Sequence, residues 1–195
     1  MPIHQTVEVL DLNTQKAVTV NLKLIIQDVL EAYALPVYGC HGVSHWARVL
    51  ENGVRLSGLT GANEAVVSLF AVFHDSRRLN ESTDTAHGLR GADFAAQTRG
   101  RLYDLSDDEF NQLYRACEGH THERTHSDIT IQTCWDSDRL DLGRVGITPH
   151  PEKLCTDAAK TQEMIQWANG RAKFRVIPTF VLDDWGIEMP KERIL

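Results

Sequence analysis

The chain of 195 residues has no run of about 18 apolar residues, so no membrane-spanning helix can be read in it. Its opening residues, MPIHQTVEVLDL, carry neither a basic leader nor a continuous apolar stretch, which argues against a secretory signal. Cysteine is scarce. Cys40, Cys117, Cys134 and Cys155 stand far apart with no C-x-x-C pair, which argues against a structural zinc site. Reduced thiols in a cytoplasmic protein are the simplest expectation. Positive charge is in deficit: 20 Lys and Arg against 27 Asp and Glu give a formal charge of −7, which disfavours a nucleic-acid duplex or a membrane surface as partner. P-loop, dinucleotide fingerprint, base-recognition motif, internal repeat and low-complexity linker are all missing.

What is present is an ordinary globular composition, 42% hydrophobic and 24% charged, long enough to bury a core as a single domain over residues 1–195. Alternation in Thr6–Leu12 and again in Val18–Leu22, around a turn at Asn13-Thr14-Gln15, predicts a small N-terminal β-hairpin over about residues 5–22. From Leu22 the period becomes helical, towards Pro36, and helical again from Val43 to about Leu56 after the break at Gly39–Gly42. Asn63 can cap a third helix, Asp84 a fourth, and Ser106 to Glu109 has capping-box spacing for a fifth. A sixth helix starts near Ser127 and carries Asp138, and a last one runs from Thr156-Asp157 towards Trp167. The tail over 174–182 is β-prone and allows a short C-terminal strand. The expected class is mainly α, with the C-terminal helix and tail occupying about 152–195.

Six candidate metal ligands follow one another in order: His45, the adjacent pair His74-Asp75, His87, His120 and Asp138. This nitrogen-and-oxygen set without sulfur suits one or two divalent ions of the borderline kind, Fe, Mn, Co, Ni or Zn, better than Mg alone. Helices bring such ligands together by projecting them from their ends and facing sides into a bundle interior. Arg77 and Arg78 follow the His-Asp pair and Arg139 follows Asp138, which makes all three candidates for gripping a phosphoryl oxygen. His122 and His126 have i,i+4 spacing and form a rival ligand pair; His41 stands four residues before His45.

His45-Trp-Ala-Arg-Val, Phe73-His74-Asp75 and Asp136-Ser-Asp138-Arg139-Leu140-Asp141 resemble the three signatures of the HD superfamily of metal-dependent phosphohydrolases, over roughly residues 40–142. The resemblance implies an HD-domain helical bundle. It implies a first metal site from His45, His74, Asp75 and Asp138, with Asp138 taken before Asp136 because it precedes the basic residue and leucine. His87-Gly88 and His120-Thr121 look similar to the additional histidines of the di-metal members, such as bacterial diadenosine-tetraphosphate hydrolases, with Asp75 as bridge. The adjacent histidines and Gly-Tyr-Pro segment of HD-GYP phosphodiesterases are missing, and Arg78 stands where mono-metal nucleotidases often place a glutamate, the nearest downstream one being Glu81.

By that resemblance the chain is expected to be an enzyme hydrolysing a phosphoester or phosphoanhydride of a small, nucleotide-like phosphorylated substrate. Asp75, His74, Arg78 and Arg139 are its expected catalytic residues. The alternatives are a one-ion HD nucleotidase, a di-iron HD oxygenase and a non-catalytic metal- or nucleotide-binding protein. Homo-oligomer formation stays open.

Overall fold

The computed structural model describes residues 6–10 and 17–189, and for 6–10 and 17–19 the backbone alone. Strands β1 (Thr6–Leu10) and β2 (Ala17–Asn21) pair antiparallel, with Thr6 opposite Asn21 and Leu10 opposite Ala17. The expected turn at Asn13-Thr14-Gln15 lies outside the described residues. Two strands alone are marginal, and here β1 lies beside a helix of the body.

The body is helical: α1 (Leu22–Glu31), α2 (Val43–Thr60), α3 (Glu64–Phe73), α4 (His87–Thr98), α5 (Asp107–Gly119), α6 (Ile129–Arg139), α7 (Asp157–Lys160), α8 (Gln162–Lys173) and α9 (Phe180–Asp183). Helix α3 sits among α2, α5 and α6, and Ala65 through Phe73 are all buried. A helix apolar on nearly every side, with Ser68 its one polar residue after the first turn, belongs in the middle of a fold. Asn63 starts it by accepting from the Ala65 and Val66 amides through Oδ1, and its C-terminal end therefore opens in the protein's interior.

Local signals explain most boundaries. Ser106 and Glu109 form a reciprocal capping box on α5, and Asp128, one residue later than expected, caps α6 through the Thr130 and Ile131 amides. Asp84 does not cap α4. Its carboxylate accepts from the Leu79 amide and Arg90, and the helix begins three residues later at His87. The last predicted helix is broken at Thr161, which caps a separate α8 through the Met164 amide. The β-prone tail forms no strand among the described residues. Pro178 and Thr179 lead instead into the short helix α9, which buries Phe180 and Val181.

No helix among the described residues is long and apolar enough to cross a membrane. All four cysteines are free, with Cys117 and Cys134 buried.

Candidate metal centre

Three helices meet at a buried cluster. His45 comes from the first turn of α2, Asp138 from the last turn of α6, and His74-Asp75 from the C-terminal end of α3. His45 Nε2 and His74 Nε2 are 3.0 Å apart. Asp138 Oδ1 lies 3.4 Å from the first and 3.9 Å from the second. Asp75 Oδ2 completes this half, 3.5 Å and 3.7 Å from the same two nitrogens.

The other oxygen of Asp75 belongs to a second cluster. Oδ1 is 3.2 Å from His87 Nε2 and 3.9 Å from His120 Nε2, and those nitrogens are 2.9 Å apart. Thr121 Oγ1 stands 3.3 Å and 3.2 Å from them. Close helix packing makes the approach possible. A Cβ on Gly88 would come within 2.4 Å of the Cys117 carbonyl on α5, and one on Gly91 within 2.4 Å of the Phe73 carbonyl at the end of α3. Glycine at both places lets α4 press His87 against His120 and Asp75.

The far side of each ring fixes its tautomer. Nδ1 of His74 faces the Phe70 carbonyl at 3.0 Å, that of His120 the Cys117 carbonyl at 2.7 Å, and that of His87 the Asp84 carbonyl. Nδ1 of His45 faces Asp141 Oδ2 at 2.7 Å. Carbonyl and carboxylate oxygens only accept, so all four Nδ1 atoms carry the proton and all four Nε2 lone pairs point inward. Asp141 is held in turn by Arg48, Nε to Oδ1 at 2.7 Å and Nη2 to Oδ2 at 3.0 Å, with both side chains buried.

These donors fit a divalent metal ion. Two imidazole lone pairs facing each other at 3.0 Å or 2.9 Å require positive charge between them. Burial pushes His74 down to about 3 against the pull of Asp75 and Asp138, so its ring is neutral at ordinary pH. Burial likewise lowers His87. Burial raises the two carboxyls, but their neighbours prevail: interaction with the facing imidazoles, His74 first, holds Asp75 well below its usual range, and Arg144 ahead of His74 does the same for Asp138. Asp138 Oδ1 is buried and takes no hydrogen bond. An anionic, unpartnered oxygen beside inward lone pairs is the donor pattern of a metal site. Among the described residues, two groups could hold an ion: His45, His74 and Asp138, and Asp75, His87 and His120.

The fold does not bring every candidate here. Arg78 arrives: its Nη1 is 3.4 Å from Asp75 Oδ1. Arg77, one residue earlier, turns away to the Val29 carbonyl and stacks on Phe94. Arg139 also points outward, its guanidinium taken by the carbonyls of Glu123, Arg124 and Lys153. The expectation that it grips substrate at the centre is corrected by that geometry: one step along a helix from Asp138 rotates a side chain about 100° away. Asp136 is buried and accepts from the Cys155 and Thr156 amides, tying α6 to the segment that follows. His122 and His126 do not converge. Their segment is not helical, and they bond separately to the Thr85 carbonyl and the Asp128 amide.

Sequence reasoning gave no role to Arg48, Asp141 or Arg144. The first two were visible inside the H-x-x-R-V and D-x-D-R-L-D segments. Arg144 was visible only as the residue three beyond Asp141, and its Nη1 lies 3.7 Å from Asp138 Oδ1. His41 sits nearby, its Nδ1 2.5 Å from Glu81 Oε2.

No family model matches the chain, and no curated protein matches it. Among solved structures it is similar to the crystal structure of a predicted HD superfamily hydrolase from an uncultured Thermotogales bacterium. The TM-score is 0.60 at 23% sequence identity, and the match covers 86% of this chain and 94% of that one. The chain has the HD-domain fold. Within it, the signature positions quoted from the sequence occupy one connected cluster: α2 supplies His45 and Arg48, α3 ends at His74-Asp75, and α6 with the turn after it supplies Asp138 and Asp141. His87 and His120 extend this HD domain's cluster from one group of ligands to two.

Proposed function

We propose that this HD-domain protein is a metal-dependent phosphohydrolase acting on a phosphoester or phosphoanhydride of a small, nucleotide-like substrate. The observation that carries the proposal is the division of Asp75, one carboxylate oxygen in each ligand group, with four inward Nε2 lone pairs around it. Donors of imidazole and carboxylate type favour Fe, Mn, Co, Ni or Zn. Divalent ions held by these residues would lower the pKa of a coordinated water from about 16 towards roughly 7 and draw charge from phosphate oxygens.

The residues of the chain divide the remaining work. Asp75 sets the spacing between the two ligand groups and supplies charge to both. His74, neutral and pinned by the Phe70 carbonyl, presents its lone pair in a fixed direction. Arg144 is the natural anion contact, in place of Arg139. Its Nε and Nη1 are anchored on the Cys40 and Asp141 carbonyls, while Nη2 makes no hydrogen bond among the described residues. A guanidinium so placed beside Asp138 can donate to a phosphoryl oxygen. Arg78 adds positive charge on the opposite side of Asp75. That same charge beside the second ligand group is the observation favouring a second reading, the same chemistry with one ion.

The test is metal analysis of protein purified without chelators, followed by a panel of phosphate monoesters, diesters and dinucleotides assayed for phosphate release. Bound transition metal with turnover of at least one panel member supports the proposal. Protein that binds no metal, or that binds it and turns over nothing on the panel, counts against it.

A further inference from the structure

The two halves of the centre are unequal in charge. Around the first stand two carboxylates, Asp138 and the Oδ2 side of Asp75, with Arg144 as the one neighbouring cation. At the second the Oδ1 side of Asp75 faces the imidazoles, with Arg78 Nη1 3.4 Å from it, while the Asp84 carboxylate near His87 is paired with Arg90. With the one charge of Asp75 shared between them, the first half is the more negative of the two.

Arg78 is fixed where it is. The residue is buried, its Nη2 donates to the Ser82 carbonyl at 2.6 Å, and its Nε to the Asn80 carbonyl at 3.3 Å. Swinging out would abandon both bonds. Its Nη1 is also 3.3 Å and 3.2 Å from the two nitrogens of His87. Near-equal distances place it off the in-plane axis of the Nε2 lone pair, since a donor on that axis stands much farther from Nδ1. The lone pair stays aimed at His120 and Asp75, so the guanidinium adds charge beside the ligands without occupying their meeting point.

The surrounding hydrogen bonds carry the same asymmetry. In the first half, His45 is backed by the Asp141 carboxylate; in the second, both imidazoles are backed by main-chain carbonyls. A carboxylate behind an imidazole raises its basicity as a ligand. In a cluster this deeply buried, solvent screens little, and a fixed positive charge acts strongly on an incoming cation.

Resting on the two-ion reading above, we propose that Arg78 is a built-in counter-charge that makes the Asp75–His87–His120 group a weak, exchangeable metal site, filled only after the His45–His74–Asp138 group. The second ion is then a dissociable activator, and the centre passes between one-ion and two-ion states as the free metal concentration changes.

The experiment is calorimetric and paramagnetic titration of the chelator-stripped full chain with Mn²⁺, comparing wild type, Arg78→Gln and Arg78→Lys. Wild type should bind a second Mn²⁺ at least about tenfold, or ~1.4 kcal/mol, more weakly than the first. Arg78→Gln should tighten the second step by about tenfold or more and leave the first within about threefold. Arg78→Lys keeps the charge but not the paired carbonyl contacts, and should behave as wild type. A wild type that binds one ion beside an Arg78→Gln variant that binds two supports the proposal equally. The proposal is overturned if Arg78→Gln leaves the second step unchanged or weaker, or if the Gln and Lys variants shift together, which would mark the arginine as a loop anchor. A wild type that binds no Mn²⁺ at all would overturn the metal-centre reading itself, an outcome distinct from both.

Discussion

Asp141→Asn tests the support behind His45, and its size can be worked from the contacts. The carboxylate accepts three close bonds, at 2.7 Å from His45 Nδ1 and at 2.7 Å and 3.0 Å from Arg48. Asparagine keeps the shape but offers one acceptor oxygen and turns an NH₂ towards a donor, whichever way it is flipped. Arg48 is then a buried guanidinium without its carboxylate partner, keeping the Val176 carbonyl bond at 3.0 Å and at most one bond to the amide oxygen. Breaking a buried pair by removing one partner costs about 3–5 kcal/mol. Losing the carboxylate behind a ligating histidine lowers metal affinity about 10–100-fold. Urea unfolding of the chelator-treated protein reads the first effect, and Mn²⁺ titration of the first binding step reads the second. Adding Arg48→Met to Asp141→Asn should recover at least half of the lost stability, because the stranded charge is gone, and none of the metal affinity. A single variant destabilised by less than about 1 kcal/mol, with first-step affinity within about twofold of wild type, refutes the reasoning.

Asp75→Asn should reduce metal-dependent hydrolysis to the metal-free background while the protein keeps its helical circular dichroism, since an amide oxygen can serve only one ligand group and brings no charge. Arg144→Gln should raise KM for a phosphorylated substrate about tenfold or more, whereas Arg139→Gln, which points away from the centre, should leave kcat/KM within about twofold; steady-state kinetics on both variants decides between them. Acid should destabilise the metal-free protein. Burial holds His74 at about 3, so below its ordinary value of 6.5 the unfolded chain takes up a proton that the folded chain refuses. Stability from this group is whole above that value and falls by about 1.4 kcal/mol per pH unit below it, roughly 2 kcal/mol by pH 5. His41 and His87 shift in the same direction and add to the fall. Urea midpoints measured with chelator at pH 7.5 and pH 5 check this, and a flat profile contradicts it.

Most helices were legible because their signals are local. Asn63 and the Ser106–Glu109 box act within one turn, and the apolar run before His74, interrupted only by Ser68, marks an interior helix. The tail misled because β-propensity describes how well a residue fits a half-buried sheet, and among the described residues the tail pairs with neither strand of the hairpin. At the centre, adjacency in sequence was a poor guide to adjacency in space. Arg77 and Arg139 neighbour ligands in the chain yet lie on other sides of their segments, while Arg78, three beyond Asp75, returns to the same side. Arg48 follows His45 at the same i,i+3 spacing and reaches Asp141 beside it, a relation that periodicity could have suggested. The His122–His126 pair failed for the converse reason: i,i+4 spacing places two rings on one face only where the chain is helical, and residues 120–128 are not.

The central claim is that Asp75 holds two metal ions, one on each carboxylate oxygen. Anomalous X-ray diffraction from crystals of the chain grown in saturating Mn²⁺ tests it most directly. The account predicts two peaks about 3.5–4 Å apart on either side of Asp75, one among His45, His74 and Asp138, the other between His87 and His120. A single peak in this cluster at saturating Mn²⁺, no peak there at all, or Mn²⁺ bound only at His122 and His126, would contradict it.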